Sequence, residues 1–113
     1  VNIKLPDIDV ITKNTLVYIV NKYPELAERY LEFLGTLGVD FDGTAPELNM
    51  DINGAEKYLV SLKLQRYLEK LNAQKRELTT QLLAGDDTAR DEIKRIDSEI
   101  EKFNEKLEVL ISI

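Results

Sequence analysis

Asp40-Phe41-Asp42-Gly43-Thr44 is the run whose residue types and spacing best match a reaction centre. In phosphatases that use an aspartate nucleophile, the first carboxylate of such a run attacks phosphorus and the second handles protons. That chemistry needs a hydrophobic strand leading into the motif. It also needs later carboxylates to complete a magnesium site, and a lysine further on. Here Leu31 to Leu37 reads as the end of a helix, and a helical hairpin follows. The run therefore reads as an Asp/Gly turn built on Asp42-Gly43. It is also a poor calcium loop, because the third oxygen ligand and the bidentate glutamate at the twelfth position are missing.

Without histidine or cysteine, a Ser/His/Asp set, the usual zinc ligands and a disulfide are all excluded. No glycine-rich phosphate loop appears. The expectation is a chain with no catalytic residues, no metal ligands and no cofactor. Composition agrees with a binder: 43% hydrophobic with 32% charged residues suits long solvated helices around a modest core. A net charge of −6 argues against direct nucleic-acid binding. No apolar run is long enough to span a membrane, and the absence of disulfides fits a cytoplasmic protein. A start at Val1 suggests a domain trimmed from a longer parent.

The elements that would carry such a function are helical. Val1 to Pro6 reads as an extended arm. Thr15 to Val20 is β-branched enough to pass as a buried strand, but no second strand exists to pair with it. Helix is the preferred reading, with Ile8, Ile11, Leu16, Ile19 and Val20 near one face. Tyr23-Pro24-Glu25-Leu26 starts a second helix, with proline where its missing N–H costs nothing. Leu26, Ala27, Tyr30, Leu31 and Leu34 form its stripe, and Gly35 and Gly38 end it. Residues 37–53 form an irregular loop. Asn53-Gly54-Ala55-Glu56 resembles a capping box that opens the longest helix. About thirty residues at 1.5 Å each make that helix on the order of 45 Å long, so its far end is expected to protrude.

Gly54 to Ile113 reads as an antiparallel helical hairpin. Its first arm carries Leu64, Leu68, Leu71, Leu78 and Leu82, interrupted where Lys75 takes a stripe position. Its second arm carries Ile93, Ile96, Ile100, Phe103, Leu107 and Leu110. Lys75 marks the weakest point of the seam, or an entry for a partner's acid. Leu83-Ala84-Gly85-Asp86-Asp87-Thr88 is a stop followed at once by a start, with Gly85 left-handed and Asp86 or Asp87 as the cap. The first arm is net basic and the second acidic, a pattern that favours mutual attraction. Acids on the second arm such as Asp97, Glu101, Glu105 and Glu108 read as a solvated face. The apolar end at Leu107, Val109, Leu110, Ile111 and Ile113 is either docked or an interface.

The fold class is thus all-α: a small N-terminal helical subdomain (residues 1–53) joined by a long helix to a C-terminal antiparallel hairpin (residues 54–113). A narrow apolar seam binds helices, so the expected partner-contact set is the tip and outer seam: Leu78, Leu82, Leu83, Ile93, Ile96 and Ile100.

One family has these parts in this order. The apolar run from Asn14, with Asn21-Lys22-Tyr23-Pro24-Glu25-Leu26-Ala27, resembles a signature in the C-terminal helicase-binding domain of bacterial DnaG-type primases. Glu56-Lys57-Tyr58-Leu59 to Leu83 is similar to that domain's long connecting helix, and Gly85-Asp86-Asp87 to Leu110 resembles its final hairpin arm. Where the family's N-terminal subdomain carries several more helices, Gly35 to Asn53 reads here as a loop. The resemblance implies a non-catalytic domain that docks on the N-terminal domains of a hexameric replicative helicase. The alternative is a stand-alone hairpin adaptor, or a phage-type structural protein, that self-associates into a homo-oligomer.

Overall fold

The computed structural model describes residues 7–44 and 46–112, with side chains through Leu110. The expected arm at residues 1–6 and the side chains of Ile111 and Ile113 lie outside the described residues. The chain is all-α: α1 (Val10–Lys22), α2 (Pro24–Arg29), α3 (Leu31–Thr36), α4 (Ile52–Leu83) and α5 (Ala89–Ser112). Among the described residues there is no strand. Two compact units divide between Val60 and Ser61, inside α4.

In the N-terminal unit, the β-branched run Thr15 to Val20 lies within α1, as the helical reading expects. Leu16, Val17 and Ile19 are buried, because burial on one helical face outweighs strand propensity when no pairing edge exists. Ile11 corrects the expected stripe: it is 80% exposed. At 100° per residue it stands about 140° round the helix from Leu16, on the opposite side from the core.

Asp9 caps α1, its Oδ1 accepting the Thr12 amide at 2.7 Å. That hydrogen bond holds the Asp9 carboxyl below its ordinary value. A depressed carboxyl stabilises the fold above the unfolded value of about 3.9, and that contribution is lost as pH falls through the folded value. The protection of the Thr12 amide, its exchange measured against the intrinsic rate at each pH, should therefore fall on acidification below about pH 4. Asp9→Ala should produce the same loss of protection at neutral pH. Protection that does not change with acid would remove the cap from α1's stability.

Tyr23 breaks the chain direction at the end of α1, and Pro24 opens α2 at its first turn. The helix expected from Pro24 onward is two short ones. Tyr30 (φ −108°, ψ 22°) interrupts the helical dihedrals. The hydrogen bonds from Tyr30 N to Leu26 O (3.0 Å) and from Leu34 N to Tyr30 O (2.9 Å) carry the path across the break. Leu26 and Leu34 are buried, but Leu31 is 66% exposed and leaves the expected stripe, since the break at Tyr30 resets the register. Gly35 lies inside α3, and the left-handed residue that stops it is Gly38, at φ +65°.

The long helix is capped two residues before the expected cap, Asn53. Asp51 is its cap: Oδ1 accepts the Gly54 amide at 2.7 Å, and its carbonyl accepts Ala55 N at 2.9 Å. Asn53 therefore sits within the first turn, and Glu56 pairs with Arg29 instead of reaching back. The cause is long-range. The hydroxyls of Tyr23 (2.7 Å) and Tyr18 (3.4 Å) both donate to the Met50 carbonyl, pinning the chain one residue before Asp51. An aspartate held there also favours the positive end of the helix dipole. Ala55 and Leu59 from α4 are buried in this unit with Leu16, Val17, Ile19, Leu26 and Leu34.

Candidate functional site

The C-terminal unit contains α4 from Ser61 onward and α5, which packs against it as a hairpin. Two contacts set the antiparallel register. The Lys75 Nζ lies 2.6 Å from Asp97 Oδ1, and the Tyr67 and Phe103 rings are 4.6 Å apart between centroids, tilted by 53°. Lys106 Nζ lies 4.9 Å above the Phe103 ring and screens that end of the seam. Leu62, Leu68, Leu71, Ala89 and Ile96 are buried. Leu64, Leu78, Leu82, Ile93, Ile100, Phe103 and Leu107 are half-buried, the expected fate of seam residues when only two helices enclose them.

The tip is built from backbone. Asp86 N donates to Gln81 O at 3.0 Å and Gly85 N to Leu82 O at 3.1 Å, the paired hydrogen bonds of a Schellman ending. Gly85 has φ +106°, a conformation that side chains with a Cβ rarely adopt. The Asp86 carboxylate then accepts from the Thr88 amide at 3.1 Å and from the Thr88 hydroxyl, and the Asp86 carbonyl accepts from Ala89 N at 3.2 Å. Hydrogen bonds thus fix the backbone on both sides of Gly85, from Gln81 and Leu82 before it to Thr88 and Ala89 after it. A turn so constrained holds the side chains beside it at a fixed angle.

The six expected contact residues separate into three environments. Leu83 stands 83% exposed at the tip. Leu78, Leu82, Ile93 and Ile100 are half-buried along the seam. Ile96 is 2% exposed and belongs to the hairpin's interior. Leu78 and Ile96 meet in an open groove of about 310 Å³, lined also by Gln74, Glu77, Gln81, Glu92 and Arg95. The exposed end of the set is what another protein could grip, and the buried end is what keeps the hairpin closed.

Lys75 is not an opening in the seam. Its ammonium leaves the stripe and reaches Asp97, so the expected gap is bridged, and Asp97 is a cross-arm partner rather than part of a solvated face. Both side chains remain about half exposed, so the pair is worth less than about 1 kcal/mol. Its effect is on register. Nothing in the apolar repeat signals the pair, because Asp97 adjoins Ile96 on the polar edge of α5. Arg95 bridges Glu92 (3.0 Å) and Glu99 (3.1 Å) along α5; the Glu92 hydrogen bond, with the charges of both acids, raises its affinity for its proton.

The Asp40 run bends at Gly43, and the hydrogen bond it makes is closed by the Asp40 side chain rather than by a backbone turn at Asp42-Gly43. Asp40 Oδ1 accepts the Asp42 amide at 3.0 Å, both residues are exposed, and α3 precedes them where phosphoryl chemistry would need a strand. Among the described residues no three potential ligands cluster in a way that could hold a metal ion. No described helix is long and apolar enough to cross a membrane. Compared with protein-family models, curated proteins and solved structures, the chain matches none.

Proposed function

We propose that this chain is a non-catalytic docking module whose hairpin engages a helical protein partner, as the helicase-binding domain of a DnaG-type primase does. On that reading the partner is the N-terminal region of a hexameric replicative helicase, and the module tethers a priming enzyme to it. The observation that carries the reading is Leu83, an 83% exposed leucine beside a turn fixed by the Schellman hydrogen bonds. A large aliphatic group on a backbone already fixed gives up only its own rotamer freedom when a partner covers it. The order of the Tyr23-Pro24-Glu25-Leu26-Ala27 run, the long α4 and the Gly85-Asp86-Asp87 turn supports the primase resemblance.

Leu83→Gln tests it. Glutamine keeps the helix propensity and adds no charge at the helix end, so the melting temperature should move by no more than about 2 °C. Affinity for a purified hexameric replicative helicase should fall by roughly thirtyfold, the loss of about 2 kcal/mol expected of a central anchor. Titration calorimetry reads both proteins directly. Equal affinity for wild type and variant would remove the tip from the contact, and no binding by the wild type would overturn the helicase reading.

A further inference from the structure

The hairpin's flanks differ in chemistry near Lys75, and the difference points to what one of them receives. Lys75 and Asp97 close the seam by a direct ion pair. The groove lined by Gln74, Glu77, Leu78, Gln81, Glu92, Arg95 and Ile96 has no such closure. Its single cation, Arg95, is already held by Glu92 and Glu99. Glu77 has no cation partner among the described residues, and the side-chain amides of Gln74 and Gln81 make no hydrogen bond there. Two acids against one base leave the lining with one negative charge in excess.

We infer that this groove is the seat for a basic amphipathic helix of the partner, laid along α4 and α5 as the third helix of a bundle. The inference rests on the docking reading above and names the partner's chemistry. Gln74, Leu78 and Gln81 are spaced by four and three residues, so they form one edge about 10 Å long, two helical turns. A third helix at the usual 8–10 Å from both arms would set one aliphatic side chain on Leu78. It would bring a lysine or arginine to Glu77 and neutral polar groups to the two amides. An acidic helix would meet the excess charge with no cation free to compensate it.

The test uses the full chain labelled with ¹⁵N and a synthetic helix with leucine at alternating third and fourth positions and lysine beside them. A glutamate version of the peptide and the variants Glu77→Lys and Glu101→Lys serve as controls. Glu101 is exposed and lies outside the groove lining, so it matches the charge change without touching the site. The lysine peptide should shift amides of residues 74–81 and 92–96, and Glu77→Lys should weaken it about tenfold, with Glu101→Lys within about twofold.

Equal loss in both variants, shifts spread over the whole hairpin, binding of the glutamate peptide, or no binding at all would each overturn the inference. Concentration-dependent shifts of the same amides without peptide would give the groove to a second copy and overturn it too. If the peptide behaves as expected while the helicase does not bind, the groove stands and the helicase reading falls. If the helicase binds wild type and Glu77→Lys alike, docking stands and the groove falls.

Discussion

Ile96→Asp is expected to open the hairpin. Ile96 is 2% exposed, and its Cβ sits between arms that bury few other residues completely. A carboxylate placed there loses its hydration and finds no free cation, because Lys75 is committed to Asp97 and Arg95 to Glu92 and Glu99. The cost of an unpaired buried charge, on the order of 4 kcal/mol, is comparable to all that a two-helix seam provides. The loss should be read as helicity: α5 is 24 residues long, and separated from α4 it has no partner to hold its amphipathic face. Far-UV circular dichroism at 25 °C should show a marked fall in helix content. Ile96→Val, which removes one methylene, should cost only about 1 kcal/mol and keep the helicity. Full helicity in the aspartate variant would show that this position tolerates solvent.

That outcome separates two roles that a sequence pattern runs together. Leu83 and Ile96 both fall in the apolar set at the hairpin's outer end, yet one faces water and the other faces α4. On the docking proposal, substitution at Ile96 is expected to alter binding through the fold. Substitution at Leu83 is expected to alter it with the fold intact. Only the second kind identifies a contact.

The repeat of leucine and isoleucine at three- and four-residue steps made the hairpin legible, and the glycine before two aspartates placed its turn. Both are local signals, and the backbone hydrogen bonds from Gln81 to Ala89 agree with them. What could not be read was set at long range. Asp51 and Asn53 are both competent caps, and the choice between them follows from tyrosines some thirty residues away that pin Met50. Ile11 and Leu31 carry the right apolar character, but a stripe does not reveal where a short helix stops being covered. Lys75 looked like a defect because its partner, Asp97, is one residue off the stripe and on the other arm. At the candidate site the apolar residues were legible, while the amides and acids of the groove were not. Gln74, Glu77 and Gln81 read as ordinary solvated positions until the register brings them beside Glu92 and Arg95.

The second large effect belongs to the N-terminal unit. Leu59 lies on α4 but is fully buried in that unit, together with Leu16, Ile19 and Leu26. Leu59→Ala removes an aliphatic side chain from a core with seven buried residues among those described, so collapse around the cavity is limited and the cost should be about 2–5 kcal/mol. Small units of this size hold only a few kcal/mol in reserve, so α1 to α3 should lose most of their protection. Hydrogen exchange resolves where the loss falls. Amides of Leu16 to Val20 should exchange at nearly the unfolded rate, while those around Leu68, Leu71 and Ile96 keep their protection, because these residues belong to the other compact unit. Loss of protection in both sets to the same degree would mean that the chain unfolds as one cooperative body, with α4 transmitting the damage along its length. Selective loss would establish the hairpin as a unit able to stand while the N-terminal helices open. A docking element needs that independence if it is to hold its partner while the rest of the chain moves.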